Sequence, residues 1–188
     1  MTELPLVNLS GFDTNDMING CDQGICVSVW FQGCPHHCKG CHNPETWCES
    51  SKNNLQIRFQ ELWTSILFNV DKNGINRNLS ILGGEPLSED NRYNTLQLIK
   101  DFHRCYPRRS IFLWTGYTME EIKEMFGEKS ENMSILKSVS LLITDRFEID
   151  KRDISLKYRG SSNQRVWKPI NTFFKKRVFQ DISSIIDN

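Results

Sequence analysis

Three cysteines fall within eight residues, Cys34-Pro-His-His-Cys38-Lys-Gly-Cys41. A Cys-x3-Cys-x2-Cys run brings three thiolates into one small volume and supplies no fourth. An iron–sulfur cube held by four cysteines is closed, whereas one held by three leaves an iron with an open coordination position. An open metal position is what a site requires when a substrate must bind the metal and react there. Structural zinc is the alternative chemistry. Zinc sites draw on two halves, Cys-x2-4-Cys or His-x3-5-His, separated by roughly a dozen or more residues. This chain has one compact half and no second Cys-x2-Cys or His-x3-5-His pair elsewhere. His36, His37 and His42 are the local residues left to complete a zinc site, in a loop too short to wrap a tetrahedral ion comfortably. Spacing favours the cluster.

A second element, Gly83-Gly84-Glu85-Pro86, follows the apolar run Leu79-Ser-Ile-Leu82. Paired glycines at a strand end let backbone approach a ligand that any side chain would block. Glu85 offers an acceptor for an amine or hydroxyl, and Pro86 favours an extended conformation at Glu85. Alone, the four residues read equally as a turn. Beside a three-cysteine loop, they become the second wall of one site.

The elements that must position these loops alternate. Cys26-Val-Ser-Val-Trp-Phe31 reads as a strand leading straight into the cysteine loop. Leu55, Phe59, Leu62, Trp63, Ile66 and Leu67 recur at helical spacing, predicting an amphipathic helix over residues 55–69. A buried strand at 79–82, a helix marked by Leu96, Ile99 and Phe102, and a strand at 111–114 follow. Helical signals across 119–136 and a strand at 139–143 continue the pattern. Such alternation argues for right-handed βαβ units around a parallel sheet, with the motif loops at the strands' C-terminal ends. Phe174, Val178, Ile182 and Ile185 fall on one helical face, predicting a terminal helix capped by Asn171 or Thr172, with Lys175, Lys176 and Arg177 on its solvated side. Trp63 and Trp114 read as core.

Composition narrows the class. A chain of 188 residues is one domain's worth, with Lys+Arg and Asp+Glu both 23, so no net charge points to nucleic acid or an anionic membrane. Residues 1–20 lack the apolar stretch of a signal peptide, and no run approaches a membrane span. Seven cysteines, odd in number and clustered, fit a reducing compartment. Cys21, Cys26, Cys48 and Cys105 lack mutual ligand spacing. The expectation is a soluble cytoplasmic protein.

Cys34-x3-Cys38-x2-Cys41 followed by Gly83-Gly84-Glu85-Pro86 resembles the radical S-adenosylmethionine superfamily, and within it the glycyl-radical-enzyme activases. The segments Gly33-Cys-Pro-His-His-Cys-Lys-Gly-Cys-His-Asn-Pro-Glu-Thr-Trp47, Leu113-Trp-Thr-Gly-Tyr117 and Arg159-Gly-Ser-Ser-Asn-Gln-Arg165 resemble the activating proteins of anaerobic ribonucleoside-triphosphate reductases. The resemblance covers residues 19 to about 167. It implies an α/β fold, a partial (β/α) barrel with parallel strands in a single domain over residues 1–188, extended at its C-terminal end from about 168. It further implies a [4Fe-4S] cluster on Cys34, Cys38 and Cys41, with S-adenosyl-L-methionine on the fourth iron. Gly40, Cys41 and His42 would line the nucleoside end of that cofactor, and Gly83, Gly84 and Glu85 its methionine end. No catalytic side chain is implied beyond cluster and cofactor. The implied partners are the reductase large subunit and an electron donor such as a flavodoxin or ferredoxin. Activation of another glycyl-radical enzyme, or a zinc-stabilised interaction module, are the alternatives. The loop 159–165 would sit at the mouth of the site, against cofactor or incoming glycine loop.

Three positions depart from the family's pattern. Gly40 stands where the superfamily often has an aromatic residue. Asn19-Gly-Cys-Asp-Gln-Gly-Ile-Cys26 has two extra residues and a cysteine where arginine is expected. Asp145 is followed by Arg146 rather than glycine.

Overall fold

A computed structural model describes residues 6–48, 54–172 and 176–187. In chain order the elements are β1 (Leu6–Asp16), β2 (Cys26–Phe31), β3 (Leu55–Arg58), α1 (Phe59–Val70), β4 (Asn78–Gly83), α2 (Arg92–Cys105), β5 (Ile111–Trp114), α3 (Met119–Phe126), α4 (Glu131–Leu136), β6 (Leu141–Thr144), β7 (Arg165–Asn171), β8 (Arg177–Asp181) and α5 (Ser183–Ile186). One mixed sheet of eight strands runs in the order β3-β1-β2-β4-β5-β6-β7-β8. Its centre is parallel: β2 pairs with β4, β4 with β5, and β5 with β6. The connections β4–α2–β5 and β5–α3–α4–β6 carry helices, as a parallel crossover requires. Those four strands were expected. The antiparallel borders, β1 with β3 on one side and β7 with β8 on the other, were not.

Each central strand divides its side chains between two faces. Val27, Val29, Phe31, Leu79, Ile81 and Leu113 join Leu62, Ile66, Leu98, Ile99 and Phe102 in the core beneath the helices. The opposite face is smaller and partly polar, with Cys21, Cys26, Phe112, Leu141, Ile143 and Val166 in its apolar cluster. Its polar stripe is filled by the chain itself. Ser28 Oγ donates to Asp16 Oδ2 at 2.6 Å, Ser80 Oγ to the Asn19 carbonyl at 3.1 Å, and Asn78 Nδ2 to the Gln23 carbonyl at 2.8 Å. Trp63 and Trp114 pack against these clusters as expected.

Asp16 anchors that filling segment, accepting also from the amides of Ile18 and Asn19 and from Asn19 Nδ2. Burial pushes its carboxyl upward, but the four hydrogen bonds outweigh it and hold the group below its usual range. Ionised Asp16 therefore stabilises the fold fully above its unfolded value near pH ~4, and the contribution is lost as pH falls through the lower folded value. The thermal midpoints of wild type and Asp16→Asn should differ at neutral pH and converge on acidification below that point.

Several expected boundaries move. Residues 55–58 are strand, not the first turn of a helix, because Leu55 and Ile57 lie opposite Leu9 and Val7 of β1. Helical spacing within the segment cannot reveal that a partner strand is available, and the helix begins at Phe59. The helical stretch 119–136 is two helices, broken at Gly127 with φ 75° and restarted by Ser130, whose side chain accepts from the Met133 amide. Among the described residues the expected terminal helix through Val178, Ile182 and Ile185 does not form. Arg177–Asp181 forms a strand in which Val178 lies opposite Ile170, and only residues 183–186 turn helical. Arg177 thus opens a strand rather than lying on a helix face. A helix of that length is marginal by itself, whereas β7 presents an unpaired edge. Phe174 and Lys175 lie outside the described residues. No helix among the described residues is long and apolar enough to cross a membrane.

Candidate metal and cofactor site

The cysteine loop leaves the C-terminal end of β2 and is closed at its base by backbone. Gly33 N donates to the Thr46 carbonyl at 2.8 Å and Cys34 N to the Trp47 carbonyl at 3.1 Å. The buried Gln32 side chain donates to the Glu45 carbonyl at 3.0 Å, and Asn91 Nδ2 ties the Gln32 carbonyl (2.9 Å) to that of Glu85 (3.0 Å). Inside the loop, His37 at φ 46° and Gly40 at φ 75° supply left-handed turns. A Cβ at Gly40 would lie 2.9 Å from Ile149 Cδ1, so glycine here admits the loop after β6. Asn43 N donates to Cys41 Sγ at 3.4 Å. His42 is exposed.

Cys34, Cys38 and Cys41 are free and partly exposed. Burial pushes the Cys34 thiol to about 11, and raises Cys38 against the opposing pull of the Phe147 amide and the Arg146 charge. Such thiols give up their protons readily only to a bound metal. Among the described residues no three His, Cys, Asp or Glu side chains are grouped to hold a single ion. A multi-iron cluster instead offers each thiolate its own iron, and soft sulfur donors suit it, so the residues present fit such a group. The remaining cysteines differ: Cys21 and Cys26 are buried, with burial lifting Cys26 to about 12, and Cys48 and Cys105 are exposed. The buried Cys26 thiol lies 3.8 Å from the Asn19 carbonyl.

Gly83-Gly84-Glu85-Pro86 follows the neighbouring strand, β4, and packs directly on the loop's base. Gly84 N donates to the Phe31 carbonyl and Glu85 N to that of Gly33, both at 2.8 Å. A Cβ at Gly83 would sit 2.5 Å from Phe31 N, and one at Gly84 would sit 2.3 Å from the Gly33 oxygen. The close approach that the glycines permit is thus to the cysteine loop's own backbone.

Glu85 is completely buried, and its carboxylate joins three strand ends. Oε1 accepts from the Leu87 amide (2.8 Å) and Thr115 Oγ1 (2.7 Å). Oε2 accepts from the Gly116 amide (2.7 Å) and His36 Nε2 (2.9 Å). His36 belongs to the cysteine loop, and Thr115-Gly116 follow β5. Gly116 must lack a side chain, because a Cβ there would lie 2.4 Å from the His36 ring. The ring meets Tyr117 edge-on at 4.6 Å. Arg146 Nε donates to His36 Nδ1 at 3.2 Å, so the ring hydrogen sits on Nε2 and points at Glu85. Arg146 also forks onto Glu121 at 2.9 and 3.0 Å. Asn163 and Gln164 hold the carbonyls of Arg146 and Asp145, so loop 159–165 buttresses this turn. Arg159 points elsewhere, to Asp187.

Replacing Glu85 with glutamine turns an NH2 group toward two donors. Buried unsatisfied donors of this kind cost about 2–4 kcal/mol together. The urea midpoint of Glu85→Gln should fall accordingly, and reconstituted iron content with it.

Sequence reasoning brought Cys34, Cys38, Cys41, Gly83, Gly84 and Glu85 to one place and missed the residues that lock them there. Gln32 and Asn91 carry no motif of their own, and Thr115 entered only within the segment Leu113-Trp-Thr-Gly-Tyr117. Arg146 entered only as a departure from pattern. Glu121 was readable in part, since Thr118-x-x-Glu121 is a capping-box signature and the box forms.

These loops fall within the match to known proteins. A family model described as a 4Fe-4S single cluster domain matches residues 18–167. A Vibrio cholerae protein is 33% identical over 150 residues, 79% of this chain and 90% of that protein. A Salmonella typhi protein is 32% identical over 152 residues, covering 80% and 92%. One from enterobacteria phage T4 is 31% identical over 160 residues, covering 85% and 93%. All three carry the name anaerobic ribonucleoside-triphosphate reductase-activating protein. The chain belongs to this family of activating proteins.

Proposed function

We propose that this chain is an activase that generates a glycyl radical on an anaerobic ribonucleoside-triphosphate reductase, by reductive cleavage of S-adenosylmethionine at a [4Fe-4S] cluster. The observation carrying this reading is the junction at Glu85, where the cysteine loop, the Gly-Gly-Glu-Pro turn and the Thr115-Gly116 turn meet on adjacent parallel strands. Membership in a family of reductase-activating proteins with a 4Fe-4S domain supports this reading. Cluster and cofactor, when bound, supply an electron and an organic radical able to take hydrogen from a glycine backbone carbon.

The chain's own residues bind, orient and exclude. Cys34, Cys38 and Cys41 would hold three irons, leaving the fourth for the cofactor's amino and carboxylate groups. The Glu85 carboxylate is taken up by the protein, so what the turn offers to the methionine end is backbone at Gly83 and Gly84. Gly40 and His42, on the outer half of the loop, would face the nucleoside. Four central parallel strands with loops at their C-terminal ends support a partial (β/α) barrel, with a site that an inserted loop of the partner's large subunit would cover. Electrons would come from a flavodoxin or ferredoxin.

The test is anaerobic mixing of reduced, iron-loaded protein with S-adenosylmethionine and the reductase large subunit. An organic radical signal on the reductase, absent when Cys38→Ala protein is used, is the expected result. Iron and sulfide without any radical on the reductase would reject this partner, and zinc in place of iron would reject the chemistry.

A further inference from the structure

A cavity of about 410 Å3 opens at the end of the sheet away from the cysteine loop. Its position follows from its lining: Gln23 precedes β2, Arg109 precedes β5, and Ser140 and Leu141 meet at the start of β6. The metal-site loops leave the opposite ends of the same strands, so the two sites are separate. The volume lies in the range of small-molecule sites.

The cavity is chemically two-sided. His103, Arg109, Lys168 and Arg177 line one part, and among the described residues its lining holds no Asp or Glu. Arg109 is partly neutralised by Asp71 at 2.6 Å. Lys168 and Arg177, which face the space from β7 and β8, have no ion-pair partner among the described residues. Their field is uncompensated: after burial, the charge of Arg177 is what holds the His103 imidazole below its usual range. Hydroxyls of Ser138 and Ser140 add neutral donors. Tyr158, Ile182 and Ile186 form the other part, an apolar wall continuous with the cluster on that face of the sheet.

We propose that this cavity binds a polyphosphate, with the cationic side taking the phosphates and the Tyr158–Ile182–Ile186 wall taking an attached flat group such as a nucleobase. A single carboxylate or sulfate would leave most of the cationic side unpaired, whereas several linked phosphates match it. The wall would be without a role for an inorganic chain, which makes a nucleoside polyphosphate the better fit. This site goes beyond the activase reading and is independent of it.

Isothermal titration of the iron-loaded full chain with inorganic triphosphate, and separately with ATP, tests the assignment. Both should bind saturably. ATP binding about tenfold tighter assigns the wall to the base, and equal affinities assign the site to the phosphate chain alone. The double variant Lys168→Gln/Arg177→Gln should weaken both ligands about tenfold or more, and Arg177→Lys should retain most of the affinity. Lys72→Gln, an exposed charge outside the cavity, should change neither. Lys168 and Arg177 are exposed, and equal thermal midpoints confirm that the double variant is folded. Absence of saturable binding to the wild type overturns the proposal. So does unchanged affinity in the folded double variant, or an equal loss in Lys72→Gln.

Discussion

Alanine at Cys34, Cys38 or Cys41 should reduce reconstituted iron and sulfide to background, together with the cluster's visible absorbance. Two thiolates on one loop cannot hold a cube while leaving a further iron open. His36 is engaged on both ring nitrogens, and Cys26 is a buried thiol on the far part of the same strand, so neither is placed to replace a lost thiolate. Alanine at Cys48 or Cys105, both exposed, should leave iron content unchanged, since the substitution keeps the Cys48 carbonyl that accepts from Gln32 Nε2. Elemental analysis of anaerobically reconstituted protein reads both results. Dependence on Cys48 equal to that on Cys38 would sink the three-ligand assignment.

Gly84→Val should damage the same centre without touching a ligand. A Cβ there would approach the Gly33 oxygen to 2.3 Å, the Gly33 carbonyl carbon to 2.8 Å and the Thr46 oxygen to 3.1 Å. All three are backbone atoms at the base of the cysteine loop, so no side chain can swing aside to relieve the contact. Overpacking of this kind costs about 1–3 kcal/mol, and here the movement displaces the loop that carries the thiols. The expected result is a lower urea midpoint together with reduced iron content. Gly127→Ala gives the contrast, because that glycine has φ 75° with nothing within 4 Å. It should cost about 1–3 kcal/mol of backbone strain and leave iron content intact. If Gly84→Val loads iron like wild type, the glycine's role lies with a ligand rather than with the loop.

The difference between these glycines shows where sequence reasoning reaches its limit. The parallel strands ending at Phe31, Gly83 and Trp114 are legible because each is an apolar run stopped by loop chemistry, and that pattern is local. The pairing of Leu55 with Leu9, or of Val178 with Ile170, depends on an edge supplied from elsewhere in the chain. Helical spacing read within either segment therefore misleads. The same holds for the site. Three thiols at ligand spacing are visible in eight residues, but the four donors to Glu85 come from positions 36, 87, 115 and 116. A glutamate beside paired glycines reads as a group awaiting a ligand. Only the folded chain shows its carboxylate already surrounded.

That carboxylate also sets an order of events during synthesis. The three thiols are complete once residue 41 has emerged, yet His36 is held by Glu85 and Arg146, and the Glu85 carboxylate is itself fixed only when Thr115 and Gly116 arrive. A nascent chain therefore displays all three thiols long before it can shape their loop. Metal captured at that stage would meet a slack loop, open to the wrong ion or to oxidation. On the proposed reading, loading would follow closure of the central strands, as a step of maturation rather than a nucleus for folding.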